Sequence, residues 1–156
     1  MADEQQPAAH EGFAGTVSAH SLRGLVGYNM KRAFNEVQAD LNRILQPFDL
    51  RMLSYAALVL IADNPGLRPS QLAAALAVER PNLVTLIEAL AQRGLIKRER
   101  LASDRRAHAL LATPAGRALY ERAIRAVADH EARIFGTEAQ SLIVALQRVE
   151  QKARAR

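Results

Sequence analysis

Residues 69–106 read PSQLAAALAVERPNLVTLIEALAQRGLIKRERLASDRR, and the order of signals within them decides the fold. Pro69 suits the first turn of a short helix, Ser70 to Leu76, because the N–H it lacks has no partner there. Leu72, Ala73 and Leu76 form the inner face of that helix. Only Ala77, Val78 and Glu79 precede a second helix, about Arg80 to Gln92, whose Leu83, Leu86, Ile87 and Leu90 fall at i, i+3, i+4 and i+7. Gly94 supplies its C-terminal stop. Leu95 to Leu101 then alternates apolar and charged residues, and Ala107 to Thr113 is a second run compatible with a strand. Ala102 to Arg106 makes the polar tip between them. Two short helices on a three-residue turn, followed by a hairpin with a basic tip, describe a winged helix-turn-helix.

Working outward, Asn64-Pro65-Gly66 is a breaker that closes a preceding helix, about Arg51 to Asp63, apolar on almost every side and therefore central. Before it, Leu22, Val26, Met30, Ala33, Val37, Leu41 and Ile44 recur at three- and four-residue steps, which predicts one long helix through Gln46, ended by Pro47. Downstream, Thr113-Pro114 opens a helix to about Phe135, with Thr as N-cap and Pro at the first position. Gly136 stops it. Thr137 and Gln140 fit a capping box for a last helix carrying Leu142, Leu146 and Val149, basic from Arg148 and expected to fray there. The class is mainly α with a small β-hairpin wing. Residues 1–17 read as an arm and 18–156 as one regulator-sized domain, with a winged lobe about 50–113 and flanking helices about 18–46 and 114–155.

Composition narrows the function classes. With 49% apolar and 24% charged residues the chain buries a core, and with 4% aromatics that core is aliphatic. The absence of Cys removes disulfides, thiolate nucleophiles and Cys-based metal sites. No stretch is long and apolar enough for a membrane span, and residues 1–15 lack the features of a signal peptide, so a cytoplasmic location is expected. Residues 66–113 hold eight Lys and Arg against four Asp and Glu, so most of the net charge of +5 sits in about a third of the chain. That concentration is the footprint of an anionic partner, and with the helix-turn-helix spacing it points to double-stranded DNA.

Each DNA-facing position has a chemical reason. Asn82 can donate to and accept from an adenine edge, while Val84 and Thr85 can touch a thymine methyl. Arg80 fits a guanine or a phosphate, with Pro81 fixing the turn between it and Asn82. Ser70 and Gln71 open the bracing helix and complete the surface. The four His are scattered without metal-ligand spacing, and no nucleotide-loop or nucleophile motif is present. No catalytic centre, metal or cofactor is expected.

The chain resembles the MarR (multiple antibiotic resistance regulator) family of winged-helix transcription factors. The resemblance is carried by Pro69-Ser70-Gln71-Leu72-Ala73, Leu83 through Leu90, Arg93-Gly94-Leu95-Ile96-Lys97-Arg98, and Asp104-Arg105-Arg106 followed by Leu111-Ala112-Thr113-Pro114-Ala115-Gly116. It implies a homodimer built by the first and last two helices. It also implies that Arg105 or Arg106 enters the minor groove while Asp104 orients the wing by pairing with a nearby Arg; Asp104 also fits a plain turn residue. Pro81, Asn82 and Thr85 depart from the small hydroxyl and basic residues of many relatives, so the operator cannot be copied from them.

The resemblance further implies a small-molecule effector at the junction of lobe and dimer platform, with His20, Tyr28, Asn29, Arg32, Arg51 and Tyr55 as candidate contacts. Arg51 stands out as an anion candidate, since a cation at a helix start is otherwise disfavoured. The stretch from Leu50 to Gly66, Pro81-Asn82-Leu83 and Asp104-Arg105-Arg106-Ala107 are also similar to regulators that sense hydroxycinnamoyl-CoA thioesters. An aromatic acid or an aromatic acyl-CoA is the expected effector class, and a repressor with a pseudo-palindromic operator the expected function. Two other readings fit the same residues: a winged-helix module for protein–protein assembly, and an architectural DNA binder without an effector.

Overall fold

The computed structural model describes residues 15–101 and 104–155, with the side chains of 101 and 104–107 outside the description. The elements run α1 (His20–Arg23), α2 (Val26–Leu45), a 3-10 turn (Gln46–Phe48), α3 (Met52–Asp63), α4 (Pro69–Leu76), α5 (Arg80–Gln92), β1 (Ile96–Leu101), β2 (Asp104–Ala112), α6 (Pro114–Phe135), a 3-10 turn (Gly136–Glu138) and α7 (Ala139–Arg154). The described residues up to Phe34 and those from Asn35 onward form two compact units.

The core belongs to the second unit and is organised on α3. Ala57, Leu58 and Ile61 are wholly buried and Ala62 nearly so, and α3 packs against α4, α5, β2 and α6. Leu72 of α4 and Leu83, Ile87 and Leu90 of α5 supply the facing stripe, with Leu95, Ile96, Leu110 and Ala112 at the base of the wing. Each fully buried Leu here contributes about 1.5–3 kcal/mol of transfer free energy. The strands pair antiparallel, Ile96 opposite Ala112 and Arg98 opposite Leu110, with an irregularity at Arg100 and Leu101. Leu67 bridges Leu110 from outside, its carbonyl accepting from Leu110 N–H at 2.8 Å, which ties the segment before α4 to the wing.

Two tight approaches fix the lobe. A Cβ on Gly116 would lie 1.9 Å from the carbonyl oxygen of Leu95, so only glycine lets α6 lie against the start of the wing. Thr113 reinforces that joint: its hydroxyl donates to the Gly94 carbonyl at 2.6 Å and accepts from Gly116 N–H at 3.0 Å. In the helix-turn-helix turn, Ala77 adopts a left-handed conformation with φ 52°, unfavourable for a residue with a Cβ. Far along the chain, Asp40 of α2 joins α6. Its Oδ2 accepts from Arg133 at 3.0 Å and lies 3.0 Å from Nε2 of His130, an imidazole almost wholly buried. The His130 approach falls outside hydrogen-bond geometry, so it is a close polar contact rather than a hydrogen bond.

Five expectations need correction. The first helix is not continuous from Leu22 to Gln46: Gly24 ends a short α1 and α2 starts at Val26, since a residue without Cβ favours a break. Pro47 does not simply end it but sits inside a 3-10 turn. The last helix opens from Glu138 through a 3-10 turn, without a side-chain capping bond from Thr137. Its basic end stays helical to Arg154, which pairs with Glu150 one turn back. The wing also begins its second strand earlier than expected, so Asp104, Arg105 and Arg106 lie in β2 rather than in the tip. Asp104 pairs with Leu101 there, while Arg105 and Arg106 fall in the irregularity between that pair and the Arg100–His108 pair.

Candidate nucleic-acid interface

The sequence builds α5 so that one face anchors it and the other is free. Leu83, Ile87 and Leu90 point into the core, while Pro81, Asn82, Thr85, Glu88 and Gln92 are exposed on the opposite side. Arg80 and Pro81 open the helix, and Pro81 needs no partner for its missing N–H in that first turn. Thr85 donates its hydroxyl back to the Pro81 carbonyl at 3.3 Å, which turns its methyl outward. The side-chain amide of Asn82 is exposed beside it.

Along one flank of α5 runs a hollow of about 550 Å³ shared with α4 and the wing. Ser70, Arg80 and Val84 line it, together with Arg98 of β1 and His108 of β2. Gln71 is differently placed: its side-chain oxygen accepts from Arg68 N–H at 2.9 Å, so it caps α4 and leaves only its NH2 end for another partner. The side chains of Asp104, Arg105 and Arg106 lie outside the described residues.

Sequence reasoning missed Arg98 and His108 as members of this surface. The signal was the two-residue period of the strands. Ile96, Ala112 and Leu110 show the core face of the hairpin, and continuing that face outward reaches Arg98 and His108 as the core ends.

The expected effector residues fall into three local settings. In the first unit the Tyr28 ring lies between the guanidinium groups of Arg23 and Arg32, at 5.9 and 6.0 Å from its centroid. Asn29 donates to the carbonyls of Arg23 and Leu25 at 2.7 and 2.9 Å, closing α1, and His20 is exposed. In the second unit Tyr55 is half-buried on α3 near Tyr120, whose hydroxyl donates to Asp63 at 2.8 Å. Burial, then the nearby Tyr120, Glu131 and Asp63, raises the Tyr55 phenol above its usual value. The Asp63 hydrogen bond raises that of Tyr120.

Arg51 does not join that phenol cluster. It is exposed at the start of α3, where Ser54 Oγ accepts from its N–H at 2.9 Å, and it lines a cleft on the other flank of α5. Among the described residues no group of three or more His, Asp or Glu could hold a metal ion, and no single helix is long and apolar enough to cross a membrane.

Residues 50–108 match the model of the MarR family. The structure of the transcriptional repressor CouR bound to a 23-mer DNA duplex superposes with a TM-score of 0.79 at 35% identity, covering 91% of this chain and 100% of that one. The chain belongs to the MarR family. A second MarR neighbour is CouR from Rhodococcus jostii RHA1 bound to p-coumaroyl-CoA, with a TM-score of 0.78 and 28% identity over 86% of this chain and 94% of that one. Among curated relatives, a protein named for transcriptional regulation of the hcr operon in Thauera aromatica is 38% identical over 99 residues, 61% of this chain and 60% of that relative's length. These MarR relatives are transcriptional regulators, and the mainly α fold with its hairpin wing is theirs.

Proposed function

We propose that this protein is a dimeric MarR-type repressor that holds a pseudo-palindromic operator and releases it on binding an aromatic acyl-CoA. The observation that carries the reading is the 35% identity through the whole length of a DNA-bound repressor, whose fold brings Arg80, Asn82, Val84, Thr85 and Ser70 to one exposed surface. Asn82 and Thr85 read base edges, Arg80 and the wing's Arg105 and Arg106 hold the backbone, and Asp104 orients the wing. Arg98 and His108 extend the same surface. The protein acts in the cytoplasm by binding alone, without catalysis.

Dimerisation follows from apolar side chains left exposed on a single chain. Ile134, Leu142, Ile143, Leu146 and Val149 are all 40% or more exposed along α6 and α7, as are Leu22, Leu25, Val26 and Phe34 in the first unit. A second copy covers such faces at low cost, because each residue then leaves water.

Between an aromatic acid and its thioester, the phenol cluster favours the thioester. The negative charge of Glu131 and Asp63 acts on Tyr55 and disfavours a free carboxylate there, and Asp63 accepts a hydrogen bond from the Tyr120 phenol. In the first unit, taken by itself, His20, Tyr28, Asn29 and Arg32 are proposed as effector contacts as well. Coupling between the two ligands is reciprocal, at about 1–3 kcal/mol.

Fluorescence anisotropy of the purified protein on its own upstream DNA tests the reading, with scrambled competitor, at two salt concentrations, and with p-coumaroyl-CoA or p-coumarate added. Specific, salt-sensitive binding released by the thioester alone is the expected result. Release by the free acid alone would sink the thioester assignment, and absence of sequence-specific binding would sink the repressor reading.

A further inference from the structure

We propose that the second flank of α5 is a docking surface for a sugar-phosphate strand of DNA, held by Arg43 and Arg51. The inference rests on the DNA-binding reading and adds a contact outside the helix-turn-helix and the wing. A helix with its side chains is about 10–12 Å across and fills a major groove about 12 Å wide, so a phosphate strand must pass along each of its flanks. On the wing flank that strand meets Arg80 and Arg98 in the hollow already described.

The opposite flank carries the matching feature. A cleft of about 790 Å³ lies between Leu86 and Ala89 of α5, with Arg93 just past its end, and the turn joining α2 to α3, with Arg43 and Arg51 on its walls. Its charges are not equivalent. Arg93 is committed to the fold, donating to the carbonyls of Phe48 and Asp49, and its Nε lies 3.6 Å from the Asp49 carboxylate, which offsets the acid in the cleft. Arg43 pairs with Asp40 at 2.9 Å yet keeps 75% of its side-chain surface exposed, so its guanidinium is available to solvent and to a ligand. Arg51 is exposed as well. Two accessible guanidinium groups therefore face a cleft whose one acid, Asp49, is exposed and partly offset by Arg93 at 3.6 Å.

Small exposed Ala89 at the cleft's lip lets a strand approach α5 closely on this side. The cleft lies on a flank of α5, where a strand rather than base edges would pass, and its guanidinium groups suit backbone contacts.

The test is a salt titration of DNA affinity for the full-length protein, comparing wild type with the double variant Arg43→Ala, Arg51→Ala and with the double Arg43→Lys, Arg51→Lys. The alanine pair is expected to weaken binding to operator and scrambled DNA by the same factor, at least tenfold. It should also make the slope of log K against log salt shallower by about 0.9 for each phosphate that is no longer neutralised. The lysine pair should recover most of that slope, with affinity for p-coumaroyl-CoA measured alongside. If the alanine pair folds poorly, Arg51→Gln alone carries the same test at half the effect. An unchanged slope in a folded variant overturns the inference, as does an altered base preference, or a loss confined to p-coumaroyl-CoA, which would make the cleft an effector site. Wild-type protein without salt-sensitive DNA binding overturns the regulator reading itself, so the two failures are distinguishable.

Discussion

α3 and α7, helices of 12 and 16 residues, both carry large aliphatic side chains and have opposite fates in a single chain. α3 buries Ala57, Leu58, Ile61 and Ala62 and is enclosed by its own chain, whereas α7 has no buried residue at all and exposes Leu142, Ile143, Leu146 and Val149. The difference lies in hydrophobicity and in pattern together: α3 carries a single charged residue, whereas α7 carries Arg148, Glu150, Lys152 and Arg154. α3 is apolar all round and must be surrounded, while α7 confines its apolar residues to one edge and needs a single covering surface. The lobe around α3 is therefore complete within one chain, and α7 waits for another.

That contrast can be broken by substitution. Leu58→Ala, at a wholly buried site, is expected to cost about 3–5 kcal/mol and to lower the urea midpoint strongly. Leu142→Arg with Leu146→Arg should leave far-UV circular dichroism close to wild type while sedimentation shifts to the monomer and operator binding falls steeply. A double variant that stays dimeric would remove α7 from the interface. Asp40→Ala sharpens the comparison at the α2–α6 contact. It frees Arg133 and removes the carboxylate 3.0 Å from the buried His130, a destabilisation of about 1–3 kcal/mol measured by denaturant titration. The smallest effect is expected at Ala77→Gly. Relief of the left-handed strain outweighs the added unfolded-state entropy, for a gain of about 0.5 kcal/mol in thermal unfolding.

A pH prediction separates the phenol cluster from both helices. Tyr55 and Tyr120 hold their protons to higher pH than free tyrosines, so the unfolded phenols ionise first, near the ordinary value of 10.0. Their contribution is intact below that pH and disappears as pH rises through the folded values. Tyr120→Phe should weaken that alkaline fall in stability, and absorbance titration of the phenolates checks it.

The parts of the fold set by local chemistry were legible in the chain. The stripe Leu83, Leu86, Ile87 and Leu90 fixed α5, and Thr113-Pro114 fixed the start of α6, with Thr113 accepting from Gly116 N–H as an N-cap should. What escaped the reading depends on distant partners or on small differences in free energy. A glycine inside a helical period is tolerated as often as it breaks, so Gly24 gave no decision. Asp40 and His130 are separated by about ninety residues, and neither carries a local sign of the other. Within the candidate interface, Asn82 and Arg80 announced themselves at a helix start, whereas Arg98 and His108 needed the strand register, and the pairing of Arg43 with Arg51 across a cleft needed the turn between α2 and α3.

The glycine at 116 has a mechanical consequence. With the Leu95 carbonyl occupying the space a methyl group would take, and with Thr113 bonded to both sides, the start of α6 and the root of the wing share a joint with almost no play. A tilt of α6 must then turn the hairpin with it, as a crank turns a shaft without backlash. Whatever displaces that helix moves the wing by the same rotation, with the reach of the hairpin magnifying it at the tip.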